Sequence, residues 1–126
     1  MTTGRDVLER ALRLLNYTDA DGRLDGRQFA ELYQRGLSVV NQIYSDLWFL
    51  ERRAPFTELT QLERPLMLSA RCVNDIFPYG VAMLLAQTEG DGDNQLLFAN
   101  LYNQKRSAAK GLSRRRQDVL PRGWGG

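Results

Sequence analysis

Histidine is absent from these 126 residues and cysteine occurs once, as Cys72. The missing histidine removes the commonest general base, proton shuttle and metal ligand together. A single cysteine excludes an internal disulfide and any cysteine-based metal cluster. Long apolar runs are also missing, none approaching the roughly 20 residues that span a bilayer, so no membrane contact is expected. The opening residues, Met1 to Asp6, hold no apolar stretch of signal-peptide type, so the chain is expected to stay in the cytoplasm or to be assembled there into something larger.

What is present is an ordinary globular composition, 43% hydrophobic and 25% charged, of a length that suits one small core. The net charge of +2 conceals an asymmetry. From Lys105 onward seven basic residues stand against one acidic, +6, which leaves ten basic and fourteen acidic, −4, before it. A mildly acidic body carries a basic tail.

Periodicity predicts an all-α chain of about four helices, a bundle over residues 1–111. The first runs from about Arg5 to Leu15, with Val7, Leu8, Ala11, Leu12 and Leu15 inward and a Thr3/Asp6 capping box. The second covers about Gly26 to Trp48, with Phe29, Leu32, Tyr33, Leu37, Val40, Ile43, Tyr44 and Leu47 recurring at three- and four-residue steps. Gly36 lies on that stripe and predicts close approach of another backbone. The third begins near Pro78, a first-turn residue, or earlier with Asn74 or Asp75 as cap. It is apolar nearly all round. The fourth follows Gly90-Asp91-Gly92-Asp93, capped by Asp93 or Asn94. It turns Leu97, Phe98, Leu101, Tyr102, Ala108 and Ala109 inward and ends at Gly111 as C′ residue.

Two segments fall outside this period. Residues 51–75, broken by Pro55 and Pro65, form a long loop or a short β-hairpin between helices 2 and 3. Either it wraps the bundle, or it projects and offers Phe56, Leu59, Leu62, Leu66 and Met67 to a neighbouring subunit; both readings stay open here. Residues 112–126 form an extended basic arm. In it Arg114, Arg115 and Arg116 would meet an acidic protein surface with Val119, Leu120 and Trp124 as apolar contacts, or would meet phosphates.

Catalytic, cofactor and metal residues are sought without result. The acidic turn with Asp19, Asp21 and Asp25 fails the calcium-loop template, since Arg23 holds the fifth position, Leu24 the sixth and Ala30 the twelfth, where a bidentate glutamate is needed. It reads as an interhelical loop with Asp25 as cap. Cys72 reads as a buried thiol. Gly90-Asp91-Gly92-Asp93 carries acids where a phosphate would need bare amides. No enzyme and no cofactor are expected.

Phe77-Pro78-Tyr79-Gly80-Val81-Ala82-Met83-Leu84-Leu85-Ala86-Gln87, then Glu89-Gly90-Asp91, Phe98-Ala99 and Tyr102-Asn103-Gln104-Lys105-Arg106, resemble the head-to-tail connector (adaptor) proteins of tailed bacteriophages. Asn41 to Leu47 and Asp6 to Leu12 are similar to the same family, so the resemblance covers most of residues 5–110. It implies a small helical bundle in a ring of about twelve copies beneath the portal vertex. The C-terminal arm would reach the portal protein, and the loop would face a tail or stopper protein. DNA would pass the channel without sequence-specific contact, and the chain would reside at the head-tail interface of the virion after assembly in the host cytoplasm. The competing expectation is a small nucleic-acid-binding protein that uses its basic tail, against which the acidic body argues.

Overall fold

The computed structural model describes residues 1–17, 26–52 and 55–125, with side chains described at 1–17, 30–52 and 55–111. Four α-helices form the bundle: α1 (Gly4–Leu14), α2 (Gly26–Glu51), α3 (Phe77–Thr88) and α4 (Gly92–Gly125). Among the described residues there is no β-strand beyond one isolated bridge, Thr3 with Pro65, so the hairpin alternative does not form. The acidic turn, with Asp19, Asp21 and its proposed cap Asp25, lies outside the described residues, as does the side chain of Phe29.

α3 is the centre, packed against α1, α2 and α4. Phe77, Val81, Ala82, Leu85 and Ala86 are all fully enclosed, as an apolar-all-round helix requires. α1 lays Val7, Leu8, Ala11 and Leu12 into the same core, and α2 contributes Val40, Ile43, Tyr44 and Leu47. On α2, the space a Gly36 side chain would fill is taken by the Leu8 Cδ2 methyl, 2.5 Å from the ideal Cβ position, and not by a second backbone.

The helix ends carry much of the local logic. Thr3 and Asp6 form the expected capping box, with the Asp6 N–H on Thr3 Oγ1 at 3.2 Å and the Thr3 N–H on Asp6 Oδ2 at 3.0 Å. α1 ends in a Schellman turn. Asn16 takes the left-handed conformation (φ 60°), and its N–H and that of Tyr17 reach the carbonyls of Arg13 and Leu12. α3 ends the same way at Gly90 (φ 70°), with the Gly90 N–H on Gln87 and the Asp91 N–H on Ala86. A Cβ at Gly90 would meet nothing, so Gly90→Ala tests backbone strain alone. It should cost about 1 kcal/mol by urea titration.

Three boundaries differ from expectation. The helix before α3 starts at residue 70, where Ser69 Oγ accepts the Cys72 N–H at 3.2 Å; Asn74 and Asp75 are not caps and lie inside a π-helical turn, Cys72–Ile76. That turn joins the earlier start to Pro78, which has no N–H for the carbonyl four residues back. Arg10 of α1 donates to that carbonyl, Asn74 O, at 3.3 Å and to Asn74 Oδ1 at 3.1 Å. Asp91, not Asp93 or Asn94, caps α4: its carboxylate accepts from the Asn94 backbone at 3.3 Å and side chain at 2.7 Å.

The third difference is that α4 does not stop at Gly111. It continues as helix through Gly125, so the segment expected as an extended arm is helical. A glycine weakens a helix without ending it unless the chain turns left-handed there. Gly111→Ala should therefore stabilise the protein by about 1 kcal/mol; a loss would restore the terminating role.

Candidate assembly surfaces

The 55–69 segment is stitched down on both sides. Asn41 clips it to α2, donating from Nδ2 to the Leu59 carbonyl at 2.9 Å and accepting the Leu59 N–H on Oδ1 at 2.7 Å. Met67 N–H donates to the Tyr44 hydroxyl at 3.0 Å, and Ser69 N–H to the Glu51 carboxylate at 2.9 Å. Toward α1, the Arg5 N–H reaches the Leu62 carbonyl at 2.8 Å and the Leu66 N–H reaches the Thr2 carbonyl at 2.9 Å. The loop wraps. Leu59, Leu62 and Leu66 are buried in the core, and Phe56 is half-buried against Tyr44 and Trp48. Of the five side chains considered for a neighbour, Met67 alone stands open, 48% exposed. These residues are apolar by sequence; only the backbone clips decide which way they point.

α4 is held by a polar clasp that the sequence reading missed. The Arg106 guanidinium straddles Asp46 of α2, with Nε on Oδ2 at 2.7 Å and Nη2 on Oδ1 at 3.1 Å, while the Tyr102 hydroxyl donates to the same Oδ2. Burial first, then the Asp46 hydrogen bond, pushes the Tyr102 phenol well above its ordinary range. Beside it, Lys105 pairs with Asp75 at 2.8 Å and lies 4.6 Å from the centre of the Tyr79 ring. These partners are 30 to 60 residues apart in sequence, which is why no local pattern announces them. The basic pair Lys105-Arg106, counted with the tail, is spent inside the bundle.

A second polar link ties α1 to the α3–α4 turn. Tyr17 donates to Asp91 Oδ2 at 3.0 Å, and burial followed by this bond pushes its phenol from 10.0 up to about 12. The protonated phenol is the form the fold favours. Its contribution is complete below pH 10 and is lost as pH rises through about 12. Asp91→Ala should bring the Tyr17 titration part of the way back toward 10.0 and lower the thermal midpoint. An unmoved Tyr17 titration would leave burial as the sole cause. The cavity beside this link, about 430 Å3, is lined by Tyr17, Glu31, Leu32, Arg35, Glu89 and Asp91, and the Arg35–Glu89 pair at 3.4 Å and the Tyr17–Asp91 pair engage its polar groups other than Glu31 with each other.

Among the described residues no three acidic or cysteine side chains converge as metal ligands, and no helix is long and apolar enough to cross a membrane. Cys72 is buried, and burial pushes its thiol up to about 12.

The outer face of α4 departs from expectation. Leu97 and Ala108, expected inward, are exposed, while Phe98 and Tyr102 fill the core and Leu101 and Ala109 are half-buried. Leu96 is 66% and Leu97 50% exposed. Arg114, Arg115, Arg116, Val119, Leu120 and Trp124 lie on the last turns of α4, where side chains are outside the described set.

Protein-family models, curated proteins and solved structures were compared with this chain, and none matches it.

Proposed function

We propose that this chain is a structural head-to-tail connector of a tailed phage, joining capsid to tail as a ring under the portal. The observation that carries the reading is α4. It is clasped to α2 and the turn before α3 through Tyr102, Lys105 and Arg106, and then runs on as helix to Gly125. A basic segment carried on a stiff helix from a packed bundle suits contact with another protein. The resemblance of residues 5–110 to the adaptor family supports the same reading, with the portal protein as partner of the arm and a tail or stopper protein below.

A bundle this small has a limited core, so assembly contributes much of its stability. The isolated subunit is expected to be monomeric or weakly associated, with the ring completed on the portal. A stable ring from the purified chain alone in sedimentation would refute that. Deleting residues 112–126 should abolish attachment to portals while leaving the bundle folded; normal attachment would remove the arm from the role. Purified virions lacking the chain would overturn the whole assignment. Tight, steeply salt-dependent binding of duplex DNA by the isolated subunit would favour the nucleic-acid reading instead.

A further inference from the structure

In a chain with one charged residue in four, two helix stretches, Leu96 to Ala108 on α4 and Gly36 to Ser45 on α2, present no exposed ionic side chain. On α4, Leu96, Leu97, Asn100, Gln104, Ser107 and Ala108 all face solvent, because the basic pair between them turns inward to Asp46 and Asp75. On α2, residues 36–45 hold no ionisable group except the buried Tyr44. There Gln34, Ser38, Asn41, Gln42 and Ser45 line one wall of a groove of about 830 Å3, and the clipped segment with Phe56 and Glu58 lines the other. Solvated helix faces ordinarily carry lysine and glutamate; a face without them is cheap to desolvate.

We infer that the α4 ridge of one copy docks in the α2 groove of a second copy. Three features favour this occupant. The lengths agree: Gln34 to Ser45 and Leu97 to Ala108 each span roughly 17 Å at 1.5 Å per residue. The charges agree: among the described residues Glu58 is the one ionic side chain lining the groove, and exposed Lys110 closes one end of the ridge, with exposed Asp93 at the other. The chemistry also agrees, since leucines and small residues on the ridge meet serines, a half-buried Phe56 and the amides of Gln34 and Gln42, which can pair with Asn100 and Gln104. Ridge and groove lie on different helices, so the contact is heterologous. Each copy offers one of each, and repetition gives a ring or a filament. The inference rests on the connector reading and gives that ring its contact surfaces. One helix face buries less than the roughly 800 Å2 per partner of a stable complex, so the contact is weak in free solution.

Disulfide trapping tests it on the full chain. In a Cys72→Ala background, Leu97→Cys and Ser38→Cys are placed singly and together; both sites are exposed, so folding is checked by circular dichroism and retained. At millimolar concentration under mild oxidation, mixed single variants should give a one-to-one disulfide dimer and the double variant a ladder of multimers. Neither single variant should cross-link to itself at a comparable rate. Faster Leu97→Cys self-linkage would mean a symmetric α4 contact and overturn the proposal. So would trapping no faster than an Arg13→Cys/Ser38→Cys control pair. Failure here with the chain still present beneath the portals of purified virions removes these faces and keeps the connector role. Trapping with the chain absent from virions does the reverse.

Discussion

Phe77→Ala is expected to cost about 4 kcal/mol. Phe77 is fully enclosed and is the largest such side chain among the described residues. It sits where the π-helical turn passes into α3, its N–H bonded to the Cys72 carbonyl, and its ring lies 6.1 Å from that of Tyr44 on α2. Truncation removes buried area and leaves a cavity between helices that already hold each other in place, so the site collapses poorly. Against a total stability of about 5–15 kcal/mol, such a loss brings the chain close to unfolding. Urea titration measures it, and Cys72 supplies a second readout. The residue is 3% exposed and burial pushes its thiol pKa up to about 12, so a thiol reagent should label it slowly in the native protein and far faster in the variant. A loss below about 1 kcal/mol would mean that the α2–α3 contact is looser than the geometry says.

Gly80→Val is expected to cost about 3 kcal/mol and to loosen α4 from the bundle. A Cβ at Gly80 would stand 2.7 Å from Tyr102 Cε1 and 2.9 Å from Ile43 Cδ1. In a surface helix the same change would gain a few tenths of a kcal/mol in propensity. Here the Tyr102 ring cannot retreat, because its hydroxyl is tied to the Asp46 carboxylate that Arg106 also grips. The clash is thus transmitted to the clasp that positions α4. Combining Gly80→Val with Tyr102→Ala should cost clearly less than the sum of the two single changes, since the second makes room for the first. Strict additivity would show that Gly80 and Tyr102 are not in contact.

Much of the fold is legible in local pattern. Helix α1 and its capping box follow from Thr3, Asp6 and an unbroken apolar stripe, because both caps and stripes are interactions over three to four residues. The buried character of α3 follows from a run with no polar face. Local pattern fails where two rules compete for one segment. Pro78 pointed to a helix start, while Ser69 had already provided one, and a π-helical turn with Arg10 at the Asn74 carbonyl reconciles them. It fails again at the loop, where Leu59, Leu62 and Leu66 are equally apolar whether they face a partner or the core.

The amino-acid order by itself determined an all-α chain, the turn chemistry at Gly90 before α4, and the separation of an acidic body from a basic end. These rest on backbone preferences and on charges that need no partner to be read. Tertiary structure alone decided that Arg106 and Lys105 belong to the bundle, that the loop lies flat, and that Leu96 and Leu97 are left outside. Each of those outcomes depends on which group lies opposite across 18 to 60 residues of chain, and a side chain's chemistry does not name its distant neighbour.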